Sequence, residues 1–144
     1  MPRLLIASNR LPVTVEPEGE EFKLSLSAGG LATGLRGICG QREVLWIGWP
    51  GELSRLGTRR QRELDQELAK RHLAAVYLNR REVRGYYEDI ANGVLWPVFH
   101  DRIDQLSPDV RGWDEFVHVN EKFASAIAEQ HREGDLIWVQ DFHL

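Results

Sequence analysis

Leu4 to Ala7, Val44 to Ile47, Leu73 to Leu78 and Leu136 to Val139 carry apolar residues on nearly consecutive positions. A strand with one wet face alternates apolar and polar residues; a strand covered on both faces does not, so these runs predict buried parallel strands. Between them the period lengthens to that of a helix. Thr58 to Arg71 has a thin apolar stripe of Leu64 and Leu68 amid charges. Trp113 to Gln130 places Trp113, Phe116, Val117, Phe123, Ala124, Ile127 and Ala128 on one predicted face and stops before Gly134. A third helix is expected to begin at Asn79, with Glu82 three residues on as in a capping box. Leu11 to Val15 and Phe22 to Leu26 flank Glu16-Pro17-Glu18-Gly19-Glu20 and predict a hairpin after the first strand. Trp49-Pro50-Gly51-Glu52 reads as a turn closing the second strand. Strands alternating with helices place the chain in the α/β class, with a doubly wound, largely parallel sheet and an inserted β-hairpin. The chain stops at Leu144, soon after a strand that reads as central, so it is expected to be the first part of something longer.

Composition narrows the function classes. A chain of 144 residues has the length of one domain, and its apolar runs fall well short of the ~20 residues that span a bilayer. No signal-peptide pattern precedes Ser8-Asn9-Arg10, and the single cysteine, Cys39, gives no internal disulfide; both predict a cytoplasmic protein. Eighteen basic against twenty-two acidic residues leave a net charge of −4, which gives no footprint for nucleic acid.

Candidate chemistry gathers at the carboxyl ends of the predicted strands, where open α/β sheets bind ligands. Arg10 follows the first strand and has the planar fork that suits a phosphate, or it pairs with a nearby glutamate on the surface. Ser27-Ala28-Gly29-Gly30-Leu31 opens a helix whose N-terminal N–H groups and side-chain-free glycines suit an anion. Gly34 and Gly37 continue that helix on one face, as close helix–sheet packing also requires. Tyr86, Tyr87 and Trp96 supply the aromatic faces and donors that a sugar site uses, and are equally ordinary core residues. Asp141, after the last strand, either accepts hydrogen bonds from ligand hydroxyls or caps whatever follows. His143 beside it reads equally as structural. His72, His100, His118 and His131 lack metal-ligand spacing, so no metal site and no cofactor is expected. Taken together, an arginine, a glycine pair, an aromatic cluster and an aspartate on one edge point to a phosphorylated sugar.

Six ordered segments carry a resemblance: Ser8-Asn9-Arg10-Leu11-Pro12-Val13, Ser27-Ala28-Gly29-Gly30-Leu31, Trp46-Ile47-Gly48-Trp49-Pro50-Gly51, Tyr86-Tyr87, Leu95-Trp96-Pro97 and Trp138-Val139-Gln140-Asp141-Phe142-His143-Leu144. They resemble the trehalose-6-phosphate synthases. The resemblance implies a retaining glycosyltransferase of the GT-B type, in which two Rossmann-like domains move glucose from UDP-glucose to glucose 6-phosphate. Residues 1–144 then correspond to part of the N-terminal, acceptor-side domain, without the C-terminal donor domain, and are expected to be inactive alone. Position by position, the resemblance implies that Arg10 and Tyr87 hold the acceptor phosphate and Trp96 lines the acceptor sugar. It also implies that Gly29 and Gly30 meet the donor diphosphate, and that Asp141 contacts acceptor hydroxyls at the reacting centre. Small-molecule substrates are the expected partners, with a homo-oligomer left open. Gln140, Phe142 and Asp89-Ile90-Ala91 stand where the family usually has His, Tyr and Gly/Gln-Phe-Ser. A relative that keeps the sugar-phosphate pocket without turnover is the alternative from another class.

Overall fold

The structure is a computed structural model and describes residues 2–27 and 43–144. Its centre is a four-stranded parallel sheet of β1 (Leu4–Arg10), β4 (Val44–Trp49), β5 (Leu73–Ala75) and β6 (Leu136–Val139), in the order β5-β4-β1-β6. β2 (Val13–Glu18) and β3 (Glu21–Leu26) form the antiparallel hairpin expected after the first strand. The α/β class and the parallel sheet are therefore as the residue pattern predicts.

Alternation along β1 divides the core into two layers. Leu4 and Ile6 face a cluster that includes Trp46, Leu64 and Leu68, while Leu5 faces one that includes Ile47, Tyr86 and Phe123. The first layer is covered by the hairpin and by α1 (Thr58–Ala69), whose Leu64 and Leu68 are fully buried. Arg60 of α1 is half-buried rather than part of a wholly solvated face. It donates to the Gly19 and Glu20 carbonyls at the hairpin tip, and its guanidinium lies 4.2 Å from the centre of the Phe22 ring. Full burial of a leucine side chain contributes about 1.5–3 kcal/mol, so the two-leucine stripe supplies a large share of what holds α1 on the sheet.

Among the described residues, the second layer is built from one long helical run and one regular helix. α2 (Arg80–Val83) continues as a π-helical segment (Arg84–Leu95) and then as α3 (Trp96–Phe99). Asn79 and Glu82 form the expected capping box: the Glu82 N–H donates to Asn79 Oδ1 at 2.9 Å, and the Asn79 N–H donates to Glu82 Oε2 at 2.8 Å. α4 (Trp113–Gln130) packs beside this run. The apolar face expected for α4 needs correction. Val119 and Phe123 are the buried residues, flanked by Phe116, Ala126 and Ile127, whereas Trp113, Val117, Ala124 and Ala128 are exposed. The period was right, but the sheet selects a stripe rotated around the helix from the one that collects the most apolar residues.

Two strand expectations also shift. β5 ends at Ala75, and the chain leaves the sheet over Val76 to Leu78, although Val76 and Leu78 remain buried. Among the described residues β6 lies at the sheet edge beside β1, and its four apolar residues are exposed.

Arg3, just before β1, ties that edge in place. Its guanidinium donates to Asp135 Oδ2 at 2.7 Å and to the Gln130 carbonyl at 2.5 Å, joining the start of β1 to the end of α4 and the turn into β6. The Arg3 hydrogen bond holds the Asp135 carboxyl below its usual range. A carboxyl with a lowered folded pKa stabilises the fold above its unfolded value of about 3.9, and that stability is lost as the pH falls through the lower folded value. Thermal denaturation should therefore show the native chain more stable than Asp135→Asn from about pH 7 to about pH 5, with the gap narrowing below about pH 4. A gap that stays constant with pH would assign the difference to something other than this pair.

Candidate functional site

Parallel pairing brings the carboxyl ends of β1, β4 and β6 to one edge of the sheet. The edge is shaped by a bulge. The β1–β4 register shifts between Ser8 and Arg10, so Asn9 is the extra residue. Ser8 Oγ fixes the bulge from both sides: it donates to the Arg10 carbonyl at 2.7 Å and accepts from Trp46 Nε1 at 2.7 Å. The Leu11 N–H then donates to the Trp49 carbonyl at 3.0 Å. Gly48 lies directly beneath, where a Cβ would come within 2.7 Å of the Leu11 nitrogen and 2.8 Å of the Arg10 carbonyl carbon. Glycine is required there for the close approach of two backbones.

The bulge opens a cleft of about 360 Å³, with Ser8, Asn9, Arg10, Tyr87, Asp141 and His143 in its wall. The Arg10 guanidinium carbon stands 4.6 Å from the centre of the Trp49 ring, so among the described residues it meets an aromatic face rather than a glutamate. A cation over an indole keeps its N–H edge available for an anion.

Tyr87 comes from the π-helical segment, and such turns recur at functional sites. The segment is pressed against α4 by two glycines. A Cβ at Gly85 would lie 2.5 Å from the Glu115 Cβ, and one at Gly112 (φ 84°) would lie 2.6 Å from the Gly85 Cα. Tyr86 points into the core, fully buried and stacked on Phe116 with ring centres 5.9 Å apart; burial raises its phenol pKa. Tyr87, one residue on, lies half-buried with its ring 5.6 Å from that of His143.

Asp141 follows β6 in a left-handed conformation (φ 70°), which aspartate tolerates better than most residues. Its Oδ1 accepts from the Phe142 N–H at 2.8 Å, and its Oδ2 faces His143 Nδ1 at 3.8 Å. Burial lowers the His143 pKa, partly opposed by the Asp141 charge.

The structure therefore brings Arg10, Tyr87 and Asp141 together. Trp96 is not in the wall of this cleft: it begins α3 and stacks on His100, ring centres 4.1 Å apart. Gly29 and Gly30 lie outside the described residues, as do Gly34, Gly37 and Cys39; the last described residue before them, Ser27, reaches the cleft wall. Sequence reasoning assigned no role to Asn9 and left His143 undecided, and both line the cleft. Among the described residues, no group of three or more His, Cys, Asp or Glu is placed to hold a metal ion, and no helix is long and apolar enough to cross a membrane.

The sequence profile described as Glycosyltransferase family 20 matches residues 2–144. The chain belongs to glycosyltransferase family 20. Among its relatives is alpha,alpha-trehalose-phosphate synthase [UDP-forming] 2 of Aspergillus fumigatus, 38% identical over 99% of this chain and 30% of the relative. A crystal structure of an alpha,alpha-trehalose-phosphate synthase (UDP-forming) from Burkholderia vietnamiensis is 32% identical, with a TM-score of 0.70, over 99% of this chain and 29% of that one. The Burkholderia xenovorans enzyme in complex with glucose-6-phosphate is 30% identical, with a TM-score of 0.69, over 98% of this chain and 28% of that one. This family 20 chain thus spans less than a third of the length of each protein it matches here.

The cleft depends on the fit at Gly48, and forcing extra atoms into a packed site costs about 1–3 kcal/mol. Gly48→Ala should lower the melting temperature and displace the bulge, seen as amide shift changes at Ser8 to Leu11. An unchanged Arg10 environment in that variant would show that the bulge is held without the close approach.

Proposed function

We propose that this chain is part of the acceptor-binding, N-terminal domain of a retaining GT-B glycosyltransferase that moves glucose from UDP-glucose to glucose 6-phosphate, giving trehalose 6-phosphate. The observation that carries this reading is the convergence of Arg10, Tyr87 and Asp141 in one cleft of about 360 Å³ at the strand ends. Support comes from the family 20 relatives described as UDP-forming synthases, one of them solved with glucose-6-phosphate. Arg10 and Tyr87 take the phosphate, and Asp141 takes hydroxyls of the sugar. Gly29 and Gly30 at the donor diphosphate and Trp96 at the acceptor sugar rest on their motifs. The protein works in the cytoplasm, in keeping with one cysteine in 144 residues.

In the reaction so assigned, the bond between the glucosyl anomeric carbon and the UDP oxygen breaks. A bond from that carbon to the acceptor's anomeric oxygen forms on the same face, and the acceptor proton passes to the leaving diphosphate. No protein nucleophile is involved, so this part of the N-terminal domain contributes by holding the acceptor in line and by balancing charge.

A charge-assisted hydrogen bond to phosphate contributes on the order of 1.5–3 kcal/mol. By titration calorimetry or amide NMR, the chain should bind glucose 6-phosphate in preference to glucose, and Arg10→Ala should weaken that binding roughly 10- to 150-fold. Equal affinity for the two sugars, or an Arg10→Ala variant that binds like the native chain, would reject the assignment.

A further inference from the structure

His143 is a largely covered titratable group in the cleft wall for which the proposed reaction has no use. Its side chain is only 12% exposed. The ring lies between Tyr87, at 5.6 Å and 22°, and Phe142, at 4.3 Å and 22°. Its Nδ1 is buried without a hydrogen-bond partner, which in a native fold calls for an explanation. The atom it faces is Asp141 Oδ2, at 3.8 Å. The other carboxylate oxygen is already fixed by the Phe142 N–H at 2.8 Å, and the Asp141 backbone is set by its left-handed conformation.

Burial keeps the imidazole neutral near pH 7, so one ring nitrogen carries a proton and the other does not. A bare Nδ1 would set its lone pair against a carboxylate oxygen across a partly desolvated gap. An Nδ1–H turns the same contact into attraction. Of the other polar groups on this wall, Tyr87 presents its ring face to the imidazole and Arg10 is itself a cation and cannot accept; Asn9 Oδ1, also buried without a partner, is a further acceptor there, but the oxygen set against Nδ1, at 3.8 Å, is Asp141 Oδ2. Hydrogen bonds between functional groups are often long before ligand arrives and shorten once it is bound, and 3.8 Å is within such a closure.

We infer that His143 is a positioning residue for Asp141: its Nδ1–H, held in place by the Tyr87–Phe142 stack, fixes the plane of the carboxylate that receives the sugar hydroxyls. This rests on the reading of Asp141 as the hydroxyl-binding group. It also gives the stack a task, because Tyr87 then orients Asp141 through the ring it supports while serving the phosphate itself.

The test needs no ligand for its first arm. Two-bond proton–nitrogen correlation on the ¹⁵N-histidine-labelled chain should show His143 in the Nδ1–H form near neutral pH, moving toward Nε2–H in Asp141→Ala. An Nε2–H ring in the native chain overturns the proposal. In the second arm, glucose 6-phosphate is titrated into two variants with opposite defects. His143→Asn keeps an N–H donor near the Nδ1 position and loses the stack; His143→Phe keeps the stack and loses the donor. The Asn variant should retain more of the native affinity than the Phe variant, which should bind about tenfold or more below the native chain, the loss expected for one hydrogen bond to a charged group. A Phe variant that binds like the native chain overturns the positioning role. If the native chain itself fails to bind glucose 6-phosphate, the functional reading falls while the tautomer still decides the His143–Asp141 contact.

Discussion

The backbone of β1 crosses Gly48 with no room for a methyl group, and the cleft follows from that contact. Closeness of this kind forces the register shift at Asn9, and the shift turns Arg10 out of the sheet and over Trp49. The two indoles of β4 divide the work. Trp46 donates to Ser8 and secures the bulge from within, while Trp49 supports the cation that the bulge delivers. A strand that ran on without the bulge would return residue 10 to the pleat, facing a core layer in which an arginine has no partner.

The other wall depends on a buried carboxylate. Glu82 caps α2, and its two oxygens also accept from Lys122 Nζ at 2.9 and 3.0 Å, while Lys122 reaches the Tyr77 carbonyl at 2.7 Å. One charged group thus joins the start of the long helical run to α4. Removing Lys122 would leave the buried Glu82 carboxylate with the Asn79 N–H and the nearby His118 ring, 3.3 Å away. Together with the Gly85–Gly112 crossing, the pair places the π-helical segment so that Tyr86 and Tyr87 fall on opposite sides of the wall.

β1 and β4 were legible because a strand covered on both faces carries few polar positions; β6 was found from the same kind of apolar run, although its four residues are exposed. α1, the hairpin and the capping box were legible for equally local reasons. The buried stripe of α4 was not, since periodicity counts apolar residues and cannot weigh where the sheet will touch; Val119 is buried and Trp113 is not. The π-helical pitch left no trace in the pattern, because nothing in a tyrosine pair and two glycines distinguishes it from α. Within the site, Arg10 and Asp141 were readable from their places at strand ends, and Tyr87 from the motif. His143 was beyond sequence reasoning: a histidine two residues after an aspartate acquires a meaning only once the ring stack and the unpartnered nitrogen are known.

The adjacency of Tyr86 and Tyr87 has a mechanical consequence. One ring is locked against Phe116 in the interior and the next forms part of the cleft, and both ride on the same helical turn. A displacement of the outer ring by an incoming molecule is therefore resisted by the inner one, as a lever is resisted at its fulcrum. Stiffness of the cleft wall thereby becomes a property of the interior, set in part by residues that form no part of the cleft.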